Sequence, residues 1–97
     1  MDLVRRAARV DANHAVVVGA LRACGAQVLS LAAVGNGCPD LLVLHRGRLQ
    51  LMEVKDGAKV ASARKLTPDQ IDFHSLWPVI VVKSDAEAVA ALVSPRA

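Results

Sequence analysis

The sequence predicts an α/β domain in which a central, mixed four-stranded sheet is flanked by helices, in the order α-β-β-β-α-β-α. Two apolar runs separated by Arg46-Gly47 have the spacing of a β-hairpin. The β-branched run Val79–Lys83 is typical of a further strand. Helix-start signals at Thr67 and Ser84 lie on either side of that run, so helices are expected before and after it.

The chain has 97 residues, of which 54% are hydrophobic and 2% aromatic, and this length provides one core. We therefore expect one domain over 1–97, with 1–10 as a basic N-terminal tail. No apolar run approaches the roughly 20 residues that cross a bilayer. Polar residues follow the N-terminal arginines, which argues against a signal peptide. We expect a cytoplasmic protein without a membrane segment, compatible with a bacterial or phage-encoded setting.

The first half of the chain predicts one helix and three strands. Asp11 can cap a helix that stops at Gly25, the residue type favoured just beyond a helix end. Two glycines and a proline within 34–39 break the chain between the first and second strands. The three strands are predicted over Gln27–Ala33, Asp40–His45 and Leu49–Lys55.

The second half predicts a strand between two helices. Thr67–Gln70 supplies a hydroxyl N-cap, a proline at the first helical position, an acid in the first turn and a capping-box glutamine. Val79–Lys83 is expected to be a strand covered on both faces. Ser84 or Asp85 would cap a last helix that runs through about Val93.

Two carboxylates and a lysine are predicted to converge at one end of the hairpin. If the hairpin closes symmetrically about Arg46-Gly47, Asp40 lies opposite Glu53, and Lys55 shares their face. The rest of this face is leucine, so we expect it to be buried. Neighbouring carboxylates repel unless a cation lies between them, and their oxygens suit Mg²⁺ or Mn²⁺. The alternative is a cross-strand ion pair, which a lone Glu-x-Lys pattern more often forms.

Three short motifs occur in order along the chain: Gly37-Cys38-Pro39-Asp40-Leu41, Glu53-Val54-Lys55 and Thr67-x-x-Gln70. Together they resemble the successive motifs of the PD-(D/E)xK nuclease superfamily, and the glutamine is similar to that of its virus-type replication-repair nuclease (VRR-NUC) branch. The resemblance covers roughly residues 11 to 92. It implies a restriction-endonuclease-like core and Mg²⁺-dependent cleavage of DNA. For short stand-alone members it also implies a homodimer acting on branched or otherwise structured DNA.

The resemblance assigns roles to five residues. Asp40 and Glu53 would be metal ligands, with the backbone carbonyl of Val54 as a further ligand. Lys55 would be the catalytic lysine, able to orient or deprotonate a water or to neutralise charge on a phosphate. Gln70 would position the lysine or the attacked phosphate, although a glutamine there also completes a capping box in any helix.

The first helix departs from the family pattern. Many members supply a further acid there, whereas Asn13–Val18 contains no carboxylate. Asn13, His14 or Asp11 could take its place, and His14 is a candidate metal ligand, although a helical histidine usually faces solvent. The departure also leaves open a second function, a catalytically weakened or inactive nucleic-acid-binding or assembly module on the same scaffold.

Basic side chains are candidate contacts to DNA phosphates. The formal net charge is +3, which would tolerate a polyanion without requiring one. Without a neighbouring catalytic site these groups would serve only solubility. The candidates form an N-terminal set and a loop set, Arg5, Arg6 and Arg9, and Lys59, Arg64 and Lys65.

The second long helix also carries aromatic side chains. Phe73 and Trp77 could stack on nucleobases, but in a chain without other aromatics they are expected to be core residues. His74 shares a helix face with Gln70 and is expected to be a packing residue rather than a general base. Cys24 and Cys38 fit neither a disulfide framework nor a zinc site, so we expect reduced, partly buried thiols.

Overall fold

The computed structural model describes residues 12–57 and 65–94, and its elements confirm the predicted α/β order. No helix in these ranges is long and apolar enough to span a bilayer. The predicted tail 1–10 and the assignments to Arg5, Arg6, Arg9, Asp11, Lys59 and Arg64 lie outside the described residues. The elements are α1 (Ala12–Ala23), β1 (Gln27–Ser30), β2 (Leu41–His45), β3 (Arg48–Val54), α2 (Pro68–Leu76), β4 (Val79–Val82) and α3 (Asp85–Val93).

The sheet has the strand order β1-β2-β3-β4 and is mixed, as predicted. The first three strands are antiparallel, while β4 runs parallel to β3. Leu41 lies opposite Met52 and His45 opposite Arg48, which confirms symmetric closure about the predicted turn. Arg46 and Gly47 both have positive φ, 51° and 79°, as expected for a type I′ hairpin turn. Continued by one residue, this register places Asp40 beside Glu53.

β1 ends at Ser30 rather than at Ala33. Leu31 still donates its N–H to the carbonyl of Asp40 at 2.7 Å, but the chain then turns, with Val34 N–H bonded to the Leu31 carbonyl. The turn separates residues 32 and 33 from the β2 ladder, although their sequence is apolar. The predicted break at 34–39 therefore begins earlier than composition indicated.

The helix ends follow the predicted capping chemistry. α1 stops before Gly25, which adopts a φ of +90° easily because glycine has no Cβ. The N–H of Ala26 bonds back to the Leu21 carbonyl. Thr67 and Gln70 form the complete capping box of α2. Ser84 caps α3 by accepting a hydrogen bond from the backbone of its first turn.

The core lies on one side of the sheet, where α1 and α3 pack together. The residues it buries fully or almost fully include Val17, Leu21, Leu41, Val43, Met52, Val82, Ala88 and Leu92. The leucine face that we expected to be buried is the opposite one, with Leu49 63% and Leu44 39% exposed. That expectation was wrong, because both strand faces are apolar and periodicity does not show which one the helices cover. β4 is likewise not covered on both faces, since Val81 is 37% exposed.

Helix α2 has no buried residue, and its aromatic residues are not part of the core. Trp77 is 53% exposed and Phe73 is half-buried, so the core assignment was wrong for both. Their rings stack on each other, with centroids 5.4 Å apart and planes at 15°. Both cysteines are free; Cys38 is half-buried as expected, while Cys24 is exposed.

Gly37 fixes the distance between the β1–β2 loop and the start of α2. A Cβ at this position would overlap the carbonyl group of Asp69 and lie 2.9 Å from the amide nitrogen of Gln70. These are backbone atoms, so they cannot move aside as a flexible side chain would. The close approach places the loop that carries Asp40 directly against the first turn of α2.

We expect Gly37→Ala to lower the free energy of unfolding by about 3 kcal/mol, through backbone overlap added to the strain of a positive φ. Gly35→Ala is the matched control, because Gly35 also has a positive φ of +76° but an added Cβ meets nothing within 4 Å. It should cost about 1 kcal/mol. Urea denaturation of both variants measures the difference, and equal losses would contradict the close contact.

Candidate active site

Asp40 is fixed at the end of the hairpin by two hydrogen bonds. Its Oδ2 accepts the backbone N–H of Val54 at 2.8 Å, and its carbonyl accepts the N–H of Leu31 at 2.7 Å. The side chain thus takes the place of a strand partner for the last residue of β3. The carboxylate is held across the hairpin toward Glu53, as the sequence-based register predicts.

Glu53 is a buried carboxyl with one unsatisfied oxygen. Its side chain is 3% exposed; Oε2 accepts a hydrogen bond from Gln70 Nε2 at 3.1 Å. Oε1 receives no hydrogen bond from any described residue. Burial, followed by hydrogen bonding and charge repulsion with Asp40, raises the pKa of Glu53 from 4.5 to about 8, against the opposing effect of Lys55. Burial beside Asp40 therefore favours the protonated form of this carboxyl in the metal-free protein.

Lys55 brings a cation into the same cluster. Its Nζ lies 3.9 Å from Glu53 Oε2 and donates a hydrogen bond to Gln70 Oε1 at 3.1 Å. The side chain is 15% exposed, so it is largely withdrawn from solvent. Its backbone N–H bonds to the Val82 carbonyl, which fixes the residue just beyond β3 against β4. The predicted convergence of Asp40, Glu53 and Lys55 is present.

Gln70 serves the helix cap and the site together. Its Oε1 accepts the backbone N–H of Thr67 at 2.9 Å as well as the Lys55 ammonium, and its Nε2 donates to Glu53. Because the oxygen faces donors and the nitrogen faces an acceptor, the hydrogen bonds determine the orientation of the amide. The capping interpretation is confirmed, and the same side chain links Lys55 to Glu53.

Asn13 has a structural role that the sequence analysis missed. Its Nδ2 donates to the carbonyl of Lys55 at 2.8 Å and to that of Lys83 at 3.3 Å, tying α1 to the ends of β3 and β4. The amide nitrogen is therefore occupied in holding the strand ends. The available signal was an amide side chain in the first turn of a largely apolar helix.

His14 lies in a groove between α1 and β1, which Ser30 and Leu41 also line. Across 12–57 and 65–94, no three or more His, Cys, Asp or Glu side chains are grouped as metal ligands, so His14 does not join Asp40 and Glu53. Lys65 is exposed in the segment before α2.

Cys38 and His74 are further neighbours of the cluster. Burial, then the charges of Glu53 and Asp40, raises the pKa of the Cys38 thiol. Burial, then the charge of Lys55, lowers the pKa of His74, whose Nε2 is buried without a hydrogen bond from the described residues. Cys38 precedes Asp40 by two residues within the first quoted motif, a proximity that the sequence analysis did not use.

The donor set fits a small divalent cation. Carboxylate oxygens of two residues meet in a largely buried place, and one of them, Glu53 Oε1, receives no hydrogen bond from the residues that the structure describes. Hard oxygen ligands of this kind suit Mg²⁺ or Mn²⁺, and a cation would favour the ionised form of Glu53. The N–H of Val54 is taken by Asp40, and a role for its carbonyl as a further ligand stays a prediction.

Comparison with protein-family models finds no match, and neither the curated proteins nor the solved structures give one. The resemblance to the PD-(D/E)xK nucleases therefore depends on the three sequence motifs alone.

The raised pKa of Glu53 predicts the direction in which the free energy of unfolding changes with pH. The native state keeps the Glu53 proton up to about pH 8, whereas the unfolded chain loses it near pH 4.5. The free energy of unfolding of the metal-free protein should therefore fall, by about 3 kcal/mol, as the pH rises across this range. Glu53→Gln should flatten the profile and be more stable than the native chain at pH 8.

Chemical denaturation at several pH values, with a chelator present, measures this effect. The exposed carboxylate of Asp72 provides the control, since Asp72→Asn should leave the slope unchanged. Parallel profiles for the native chain and Glu53→Gln would contradict the protonated Glu53.

Proposed function

We propose that this protein is a Mg²⁺-dependent endonuclease that hydrolyses phosphodiester bonds in DNA. The observation that carries the proposal is the convergence of Asp40, Glu53 and Lys55, with Glu53 Oε1 buried and without a donor among residues 12–57 and 65–94. A purely structural ion pair needs one acid, whereas here a second carboxyl raises the pKa of the first. Such an arrangement costs stability unless a ligand uses it.

Asp40 and Glu53 would hold Mg²⁺ or Mn²⁺, with the Val54 carbonyl as a possible third protein ligand. When bound, the ion supplies Lewis-acid charge for a water and for the attacked phosphate. The Lys55 ammonium would hydrogen-bond the attacking water or a phosphate oxygen. Gln70 would keep that ammonium in place through its 3.1 Å hydrogen bond, while its Nε2 holds the Glu53 carboxyl.

The substrate and assembly follow from charge and from the family resemblance. Lys65, together with Lys59, Arg64 and the N-terminal arginines, would contact phosphates without reading sequence. A preference for branched or junction DNA and a homodimeric state are what the resemblance implies. The net charge of +3 is compatible with a polyanionic substrate.

A second candidate is a nucleic-acid-binding or assembly module without effective catalysis. The specific observation in its favour is at α1, which supplies no carboxylate and whose Asn13 amide nitrogen is occupied at the strand ends. Consistent with this, the described ranges contain no ligand group of three or more acids, histidines or cysteines.

A cleavage assay distinguishes the two functions. With Mg²⁺ or Mn²⁺, the native chain should cleave four-way-junction DNA, and Glu53→Gln and Lys55→Ala should each lower the rate by about a thousandfold or more, through loss of a ligand or of a transition-state charge. Glu87→Gln is the matched control. Glu87 is exposed and accepts a backbone N–H from Lys83, a bond that glutamine can also accept.

Supercoiled and linear DNA in parallel reactions would define the preferred structure. DNA binding without cleavage by the native chain would contradict the endonuclease proposal and favour the nucleic-acid-binding module. Equal rates for Glu53→Gln and Glu87→Gln would show that any observed cleavage occurs elsewhere.

Metal binding should displace the Glu53 proton. With a pKa of about 8, most molecules carry this proton at pH 7, and an oxygen ligand binds in its ionised form. Calorimetric titration with Mn²⁺ in buffers of different ionisation enthalpy should therefore show release of close to one proton per ion at pH 7. Glu53→Gln should release none and bind more weakly. Binding without proton release would contradict Glu53 as a ligand.

A further inference from the structure

The sheet has an apolar face that no described helix covers over most of its area. In the strand register, Leu29, Leu42, Leu51 and Val79 form one row across all four strands. Gln27, Leu44 and Leu49 form the adjoining row. We call this the open face, consisting of Leu29, Leu42, Leu44, Leu49, Leu51 and Val79.

The open face exposes more apolar surface than isolated surface residues would. Leu29 is 61%, Leu49 63% and Leu44 39% exposed, and the other three side chains are half-buried. With Val81 from the next row, this corresponds to roughly 500 Å² of apolar surface, near the upper end of the largest patch on a typical monomer. It is more than half of the about 800 Å² that each partner buries in a standard stable interface.

The open face has no charged side chain within its two rows, and Gln27 is its polar edge at β1. The catalytic cluster begins in the third row, where Glu53 lies beside Val81. An uncharged aliphatic surface fits another apolar surface better than it fits nucleic acid, since the latter requires basic contacts. The charged cluster therefore borders the face without interrupting it.

We propose that the open face is the surface through which two copies of this chain form a homodimer. The proposal extends the homodimeric part of the proposed function, although its evidence is the face itself. A second copy supplies an equal uncharged area, so both copies bury their exposed leucines in one self-complementary contact. The positively charged copies meet without placing like charges at the centre of the interface.

The expected arrangement is two sheets packed face to face, about 10 Å apart, with interdigitated leucines. Because Glu53 occupies the row next to Leu51 and Val79, each catalytic cluster lies at the rim of this contact. Helix α2 is linked to the same side of the sheet through the hydrogen bond from Gln70 to Glu53. The dimer would bring both clusters into one molecule.

Sedimentation analysis of the full chain without DNA or metal tests the interface. The native chain should sediment as a dimer of about 20 kDa, twice the mass of one 10.2 kDa chain. Leu49→Glu should weaken dimerisation by roughly a hundredfold or more, because it places an unpaired charge within the interface. Val16→Glu is the matched control: Val16 is 52% exposed on α1, on the other side of the sheet, and its variant should stay dimeric.

Circular dichroism and thermal unfolding establish whether each variant is folded, and Leu29→Glu is a second variant at the other side of the face. Glu53→Gln should remain a dimer, so loss of catalysis and loss of the interface are separate results. A native chain that is monomeric at about 100 μM would overturn the proposal, because stable interfaces of standard size bind with micromolar or tighter affinity. So would Leu49→Glu or Leu29→Glu remaining as dimeric as the Val16→Glu control.

Discussion

The register of the β2–β3 hairpin is the constraint on which the rest of this structure depends. A two-residue turn with both residues at positive φ permits little slippage, and a slip of one residue would move every side chain to the other face. The observed register brings Asp40 beside Glu53 and directs the core residues Val43 and Met52 toward the helices. Core packing and the cluster of Asp40, Glu53 and Lys55 thus result from one pairing.

The neighbouring carboxyl groups of Asp40 and Glu53 interact unfavourably, and the surrounding hydrogen bonds hold them in place. A buried carboxyl beside a second one is stable in the metal-free protein because it keeps its proton, and its pKa of about 8 reflects that cost. Gln70 donates a hydrogen bond to Glu53 and Lys55 lies near it, and both contacts lower the free-energy cost of burying this carboxyl. The N–H of Val54 donates a hydrogen bond to Asp40. These contacts orient the side chains before any ligand arrives, which is the preorganisation that a catalytic site requires.

One-sided packing explains why the open face and the candidate site adjoin. Both α1 and α3 cover the same side of the sheet, and α2 contacts the other side mainly through the cluster at its first turn. Helix α2 therefore contributes polar contacts to Glu53 and Lys55 but no buried residue. The sheet is left with a polar, half-enclosed end and an apolar open centre.

The local elements and the meeting of Asp40 with Glu53 could be predicted from the sequence, because turn chemistry, capping residues and strand alternation act over a few residues. The capping box at Thr67, the stop at Gly25 and the hairpin about Arg46 are of this kind. The end of β1 was not predictable from composition, since residues 32 and 33 are apolar but turn away from their partner strand.

Tertiary structure alone decided which sheet face is buried, and it also placed Asn13 at the strand ends and gave Gln70 contacts beyond its helix cap. Strand alternation assigns residues to two faces, but it does not say which face the helices will choose when both are apolar. The sequence by itself determined the elements, the hairpin register and the acids that meet there. The packing of α1 and α3 on one side decided what remained exposed, because long-range burial depends on the whole arrangement and not on local pattern.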